Sequence, residues 1–145
     1  EELSKSNEDV KDGMDIALCS LEGSTLKYSG AHNPLWIMRD NEILETKADK
    51  QPIGMFDGAT PFTTHITELL AGDIIYLFSD GYQDQFGGEN DKKFGKKRMK
   101  ELLISNQDKS MSEQKNILDL EIKKWMKQSG VEQIDDICIM GVKIV

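Results

Sequence analysis

The first half of the chain reads as strand after strand, separated by turn residues and with no helical segment between them. Met14, Ile16 and Leu18 alternate with Asp15, Ala17 and Cys19, the period of two expected of a strand with one face in a core. Glu22-Gly23 supplies a turn and Thr25-Leu26-Lys27-Tyr28 returns, so residues 14–30 read as a hairpin. A second hairpin runs from Leu35-Trp36-Ile37-Met38 through Asp40-Asn41 to Glu42-Ile43-Leu44. Asp and Asn tolerate the positive φ that a tight hairpin turn requires. Residues 46–61 hold most of the loop signals, among them Pro52, Gly54, Gly58 and Pro61. A strand is expected over residues 62–69, then a turn at Ala71-Gly72-Asp73, then the continuous apolar strand Ile74-Ile75-Tyr76-Leu77-Phe78. Parallel strands need crossover connections of a dozen or more residues, usually helical. These strands lack them, so antiparallel sheets are expected.

The last third changes texture. Met99, Leu102 and Leu103 stand at i, i+3 and i+4, predicting a short amphipathic helix over residues 96–105. Ser110-Met111-Ser112-Glu113 has the spacing of a capping box, in which serine and glutamate satisfy free amides at a helix start. Leu118, Ile122 and Trp125 then mark a core-facing stripe, Lys123, Lys124 and Lys127 its solvated face, and Gly130 the stop. Residues 137–145 are almost continuously apolar, predicting a central strand covered on both faces. Six or seven strands, two helices and a closing strand predict an α+β fold, an antiparallel β-sandwich with flanking helices.

With 145 residues the chain is long enough for one domain with its own core. A net charge of −8 disfavours nonspecific attraction to nucleic acid or anionic membranes, so no nucleic-acid partner is expected. No apolar run approaches the roughly 20 residues that span a bilayer, and no signal-peptide pattern opens the chain. A soluble, cytoplasmic chain is expected, by itself or as the cytoplasmic output domain of a larger, even membrane-anchored, protein. Cys19 and Cys138 share no CxxC spacing and read as buried free thiols. His32 and His65 are too few and too isolated for a zinc cluster.

Two acidic strand ends carry the chemistry. Asp80-Gly81 stands where the strand at 74–78 stops, and Asp135-Asp136 leads into Ile137-Cys138-Ile139-Met140. A carboxylate at a strand end, before a glycine that frees the backbone, can present a metal ligand or simply make a turn. An acid pair before a strand can equally be a solvated loop. If the two strands are neighbours in one sheet, Asp80 and Asp135 can share a hard cation. Oxygen ligands suit magnesium or manganese rather than zinc.

The stretch from Gly72 to Asp84, Gly-Asp-Ile-Ile-Tyr-Leu-Phe-Ser-Asp-Gly-Tyr-Gln-Asp, resembles a signature of PPM-type (protein phosphatase 2C-like) serine/threonine phosphatases. The branch it is most similar to is the bacterial sporulation stage II protein E type. Tyr28-Ser29-Gly30-Ala31-His32-Asn33-Pro34 is similar to that branch's A-G-H-N-P turn, with Gly30 and Ala31 in exchanged order. Gln51-Pro52-Ile53-Gly54 resembles its x-P-L-G loop. Phe94-Gly95 and Asp135-Asp136-Ile137 match its F-G and D-D-I-T elements, and Asp12-Gly13 its D-G-M. The likeness runs from about residue 13 to the end.

The resemblance implies a protein phosphatase 2C-like sandwich and a binuclear centre of Mn2+ or Mg2+, two ions per complete domain. Asp80 and Asp135 would be metal ligands, with Asp84 close behind at a weaker third metal or its waters. Asp136 and Gly81 would lie just outside the ligands, and His32 and Asn33 would fix a turn. In this family the metals hold a bridging water, lower its pKa and direct it at phosphorus without a covalent phosphoenzyme. The implied substrate is phosphoserine or phosphothreonine on a regulatory protein, such as an anti-sigma-factor antagonist, under the control of an upstream sensor domain. The family's Asp-x-x-Gly-His-Gly segment is not found in this chain. Residues 1–12 are therefore read as a linker or the end of an upstream element, and 13–145 as the C-terminal part of a phosphatase domain. Such an N-terminally truncated piece is expected to bind metal weakly, to be inactive alone and to self-associate as a homo-oligomer through uncovered surface. The alternative is a noncatalytic binding or scaffold module. A calcium-binding domain is disfavoured because no Asp-rich 12-residue loop with a closing Glu is present.

Overall fold

The structure is a computed structural model, and it describes residues 13–54 and 57–145. The linker reading of residues 1–12, with Asp12 of the Asp12-Gly13 match, lies outside the described residues. Among the described residues nine strands and three helices follow in order: β1 Ile16–Glu22, β2 Thr25–Ala31, β3 Leu35–Arg39, β4 Glu42–Thr46, β5 His65–Glu68, β6 Ile74–Phe78, α1 Gly81–Asp84, β7 Phe86–Gly87, β8 Lys92–Lys93, α2 Lys96–Ser105, α3 Met111–Ser129 and β9 Ile139–Lys143.

Both expected hairpins form. In the β3–β4 turn Asp40 and Asn41 take φ of 50° and 64°, the left-handed pair that a two-residue turn needs to match strand twist. The ladder β1-β2-β5 makes one antiparallel sheet and β4-β3-β6-β9 a second. The strand expected over 62–69 is shorter than its pattern, since only His65–Glu68 pairs with β2.

Side-chain alternation places the two cores. Leu35 and Ile37 of β3, with Ile75 of β6, face Leu26, Tyr28 and Leu69 from the first sheet and its flank. Trp36, Met38, Ile74, Tyr76 and Phe78 point the other way, onto Met99 and Leu103 of α2 and Leu118 and Ile122 of α3. The layers are thus sheet, sheet, helices, and β3 and β6 are covered on both faces. Helix α3 starts at the expected capping box, with Ser110 Oγ accepting from the Glu113 amide and Glu113 accepting from the Ser110 amide. It ends at Gly130, whose φ is 68°.

Two expectations are corrected here. The closing strand is neither central nor covered: β9 is an edge strand, with Met140 56% and Val142 41% exposed. Apolarity marks what a strand can bury, and here β9 ends the order of its sheet, so it has a strand neighbour on one side only. Cys138 is exposed rather than buried, because it lies in the irregular segment ahead of β9, while Cys19 is half-buried as a free thiol. The sequence reading also missed the one-turn α1 and the small β7–β8 hairpin, both too short to carry a hydrophobic period.

Candidate functional site

Strands β6 and β9 are antiparallel neighbours, with Phe78 opposite Ile139. The end of β6 and the segment entering β9 therefore meet, and Ser79 fastens them. Its amide donates to the Cys138 carbonyl at 2.9 Å, its hydroxyl donates to the Asp136 carbonyl at 2.8 Å, and the Cys138 amide donates back to Oγ at 3.0 Å. Gly81 completes the contact. A Cβ there would lie 2.3 Å from the Asp136 carbonyl oxygen, so only glycine lets the backbones approach.

On this junction Asp80 is the exposed residue ahead of α1, and it makes no capping hydrogen bond to that helix. Its carboxylate stays available. Asp135 and Asp136 are also exposed, and Asp135 Oδ1 accepts from the Asp136 amide at 2.7 Å. One turn on from Asp80, Asp84 Oδ2 meets Lys93 Nζ of β8 at 3.1 Å. Asp80, Gly81, Asp135 and Asp136 thus share one corner, with Asp84 beside it. His32 and Asn33 occupy the β2–β3 connection. His32 takes φ of 58°, its Nδ1 lies 2.8 Å from Asp15 Oδ1, and its amide donates to the Asp49 carbonyl at 3.0 Å. The Asn33 carbonyl accepts from the Tyr28 hydroxyl at 2.6 Å, and burial pushes that phenol's pKa up to about 12.

Gln85 is the residue that motif reading passed over. It is 1% exposed; its Nε2 donates to the Glu132 carbonyl at 2.9 Å and its Oε1 accepts from the Ile134 amide at 3.2 Å. This buried amide, whose Nε2 also donates to the Phe86 carbonyl at 3.0 Å, holds the acidic loop against the end of α1. No sequence signal marks it, since its partners in that loop lie 47 and 49 positions away.

As a metal site the corner is partial. Its donors are carboxylates, which suit Mg2+ or Mn2+. The glycine cradle at 81 brings two acidic strand ends together. Among the described residues, however, no three His, Cys, Asp or Glu side chains converge as a metal-holding group. The donor chemistry suits a hard cation, and the described carboxylates do not by themselves assemble a metal-holding group.

Among solved structures, the SiaA PP2C domain of Pseudomonas aeruginosa matches with a TM-score of 0.75 and 28% identity, over 84% of this chain and 47% of that one. The phosphatase domain of the cell-fate determinant SpoIIE from Bacillus subtilis matches with a TM-score of 0.60 and 20% identity, over 91% of this chain and 58% of that one. The catalytic domain of the serine/threonine protein phosphatase PstP, in complex with 2 manganese ions, matches with a TM-score of 0.63 and 16% identity, over 92% and 60%. The fold is PP2C-like, and the chain spans about half to three-fifths of the length of these structures. No curated protein sequence matches it. The family model of stage II sporulation protein E (SpoIIE) matches residues 7–145, nearly the whole chain, and the protein belongs to that family.

Proposed function

We propose that this chain is the C-terminal, metal-bearing part of a Mn2+- or Mg2+-dependent protein serine/threonine phosphatase. The observation that carries the reading is the junction at Ser79, which joins two acidic strand ends in a chain of this family. Asp80 and Asp135 would hold the metals, and Asp84 a weaker third ion. When bound, the ions supply Lewis-acid activation of the phosphoester and lower the pKa of a water. The chain's own residues position and restrain. Ser79 sets the register of the two strand ends, Gly81 permits their approach and Gln85 anchors the loop that carries Asp135. Lys93 neutralises Asp84, and the turn at His32 and Asn33 keeps β2 and β3 in place. The substrate is a phosphorylated regulatory protein, such as an anti-sigma-factor antagonist, and the domain answers to an upstream sensor in the cytoplasm. Among the described residues no helix is long and apolar enough to cross a membrane.

The test is Mn2+ binding by calorimetry together with p-nitrophenyl phosphate hydrolysis, comparing this chain with an N-terminally extended form. The chain alone should bind Mn2+ weakly and hydrolyse little, and the extended form should do both well. Loss of an outer partner of a metal ligand already costs roughly 10- to 100-fold in affinity. Asp80→Asn in the extended form should therefore cost on the order of 100-fold or more. An active extended form that Asp80→Asn leaves unchanged would overturn the assignment. A noncatalytic binding module is favoured by one observation, that no three candidate ligands converge among the described residues. An extended form that binds a phosphoprotein yet fails to hydrolyse it with Mn2+ would select that reading.

A further inference from the structure

Six of the chain's 18 lysines and arginines fall within residues 92–100, Lys-Lys-Phe-Gly-Lys-Lys-Arg-Met-Lys, a stretch without an acid in a chain of net charge −8. Two are already paired: Lys93 Nζ lies 3.1 Å from Asp84, and Lys100 Nζ lies 2.7 Å from Glu45 and 4.9 Å from the centre of the Trp36 ring. Lys92, Lys93, Lys96, Lys97 and Arg98 are exposed. Local structure does not call for Lys92, Lys96 or Lys97. Lys96 and Lys97 open α2, whose first turn holds no acid, although the helix dipole disfavours cations there.

Arg98 is ordered in advance of any partner. Its guanidinium carbon sits 4.1 Å from the Trp125 ring centre and 5.3 Å from that of Phe94, and Nη1 donates to the Phe94 carbonyl at 3.1 Å. Trp125 is itself held, its indole N–H donating to the Gln85 carbonyl at 3.2 Å. Packed this way, Arg98 has already lost part of the rotamer freedom that binding would remove. Beside it opens a cleft of about 660 Å3, in which Lys92, Lys93, Lys97 and Arg98 outnumber Glu89 and Glu101. The cleft adjoins the acidic corner. Lys93, on its wall, is the residue that meets Asp84 at 3.1 Å, and Gln85 links Trp125 to the loop carrying Asp135.

We infer that this cleft docks an acidic segment of the phosphoprotein substrate, flanking the phosphorylated residue. The identity of that partner rests on the phosphatase reading above. Charge complementarity is the argument: a strongly acidic chain gathers Lys92, Lys93, Lys97 and Arg98 in one cleft, joined to Asp84 through Lys93. An ordered arginine suits a carboxylate, and the exposed lysines speed encounter with an acidic surface.

The experiment uses the 145-residue chain and fluorescein-labelled peptides read by fluorescence anisotropy. One peptide carries phosphoserine between glutamates, a second replaces the glutamates with glutamine, and a third replaces phosphoserine with serine. The glutamate peptides should bind at least tenfold more tightly than the glutamine one, with affinity falling as salt rises. Lys97→Glu/Arg98→Glu should erase that preference, and so should Lys92→Glu/Lys97→Glu, which leaves the Arg98 stack intact. Equal binding of glutamate and glutamine peptides, or a preference that survives both double variants, overturns the docking site. Tighter binding of a single-stranded oligonucleotide of equal charge, lost in the same variants, overturns the assignment to a protein partner. The phosphatase reading is read separately, in the N-terminally extended form with Mn2+. There phosphoserine should add affinity that Asp80→Asn removes, and loss of that increment with glutamate preference intact refutes the phosphatase reading alone.

Discussion

Asp73 is 2% exposed, and what keeps it charged is Arg39. Nε donates to Oδ1 at 2.9 Å and Nη2 to Oδ2 at 2.6 Å, while the Leu70 amide reaches Oδ2 at 2.8 Å. Those hydrogen bonds from Arg39 hold the carboxyl below the usual range, against the opposing effect of burial. Asp73 is buried while Arg39 is partly exposed, so removing Arg39 would leave a buried carboxylate uncompensated, whereas Arg39 without Asp73 can still be hydrated. Because the folded-state pKa is depressed, the pair's contribution is complete above the unfolded value of about 3.9 and is lost as pH falls through the folded value. Asp73→Asn, which leaves a part-exposed Arg39 behind, should destabilise the chain by about 1–3 kcal/mol at neutral pH and flatten its acid-side loss of stability. Urea midpoints measured from pH 7 to pH 3 check both. A variant that keeps the parent's steep acid limb would remove Asp73 as its source. The sequence reading placed this residue in a turn. Its charge pair was not legible, because the partner lies 34 positions away on β3.

At the scale of elements, the β6–α1 junction does the positioning. An apolar strand, a serine and a glycine are local features, and their order was legible. What they grip is the far end of the chain, through hydrogen bonds spanning 57 and 59 positions. Gly81→Ala would set a Cβ 2.3 Å from the Asp136 carbonyl oxygen. The clash is with backbone, so the acidic loop must shift. A loss of about 1–3 kcal/mol is expected, together with weaker Mn2+ binding. Chemical denaturation and calorimetry would measure these, and unchanged values in both would mean that the close approach is dispensable. Helix α3 behaves differently. Its bounds were readable because a capping box and a left-handed glycine act within one turn of the helix ends.

On the scale of the whole molecule, β9 leaves the four-stranded sheet with an uncovered edge. Val142 pairs with Ile75 and Met140 with Leu77. Directly paired residues share a face, so these two side chains project to the side of the inter-sheet core yet remain 41% and 56% exposed. Along the helix side of the same edge runs a cleft of about 610 Å3, with Met111, Leu118, Ile122, Ile137 and Ile139 in its walls. An apolar edge strand is a template for pairing. The 145-residue chain should therefore associate through β9 as its concentration rises, and Met140→Lys should oppose this. Light scattering over a concentration series is the measurement, and a monomer at the highest concentration would refute it.

By itself the sequence determined the antiparallel order, both hairpins, the span of α2 and α3, and the family to which the acidic strand ends belong. The elements follow from turn dihedrals, caps and periodicity, which act over a few residues, and the family from the resemblance of its short motifs. Tertiary structure alone decided that the apolar closing strand is an edge, that Asp73 is a buried ion, that Gln85 anchors the acidic loop and that Arg98 stacks on Trp125. Each depends on which distant segment covers a given face. An apolar run states what could be buried, while the packing of two unequal sheets decides what is.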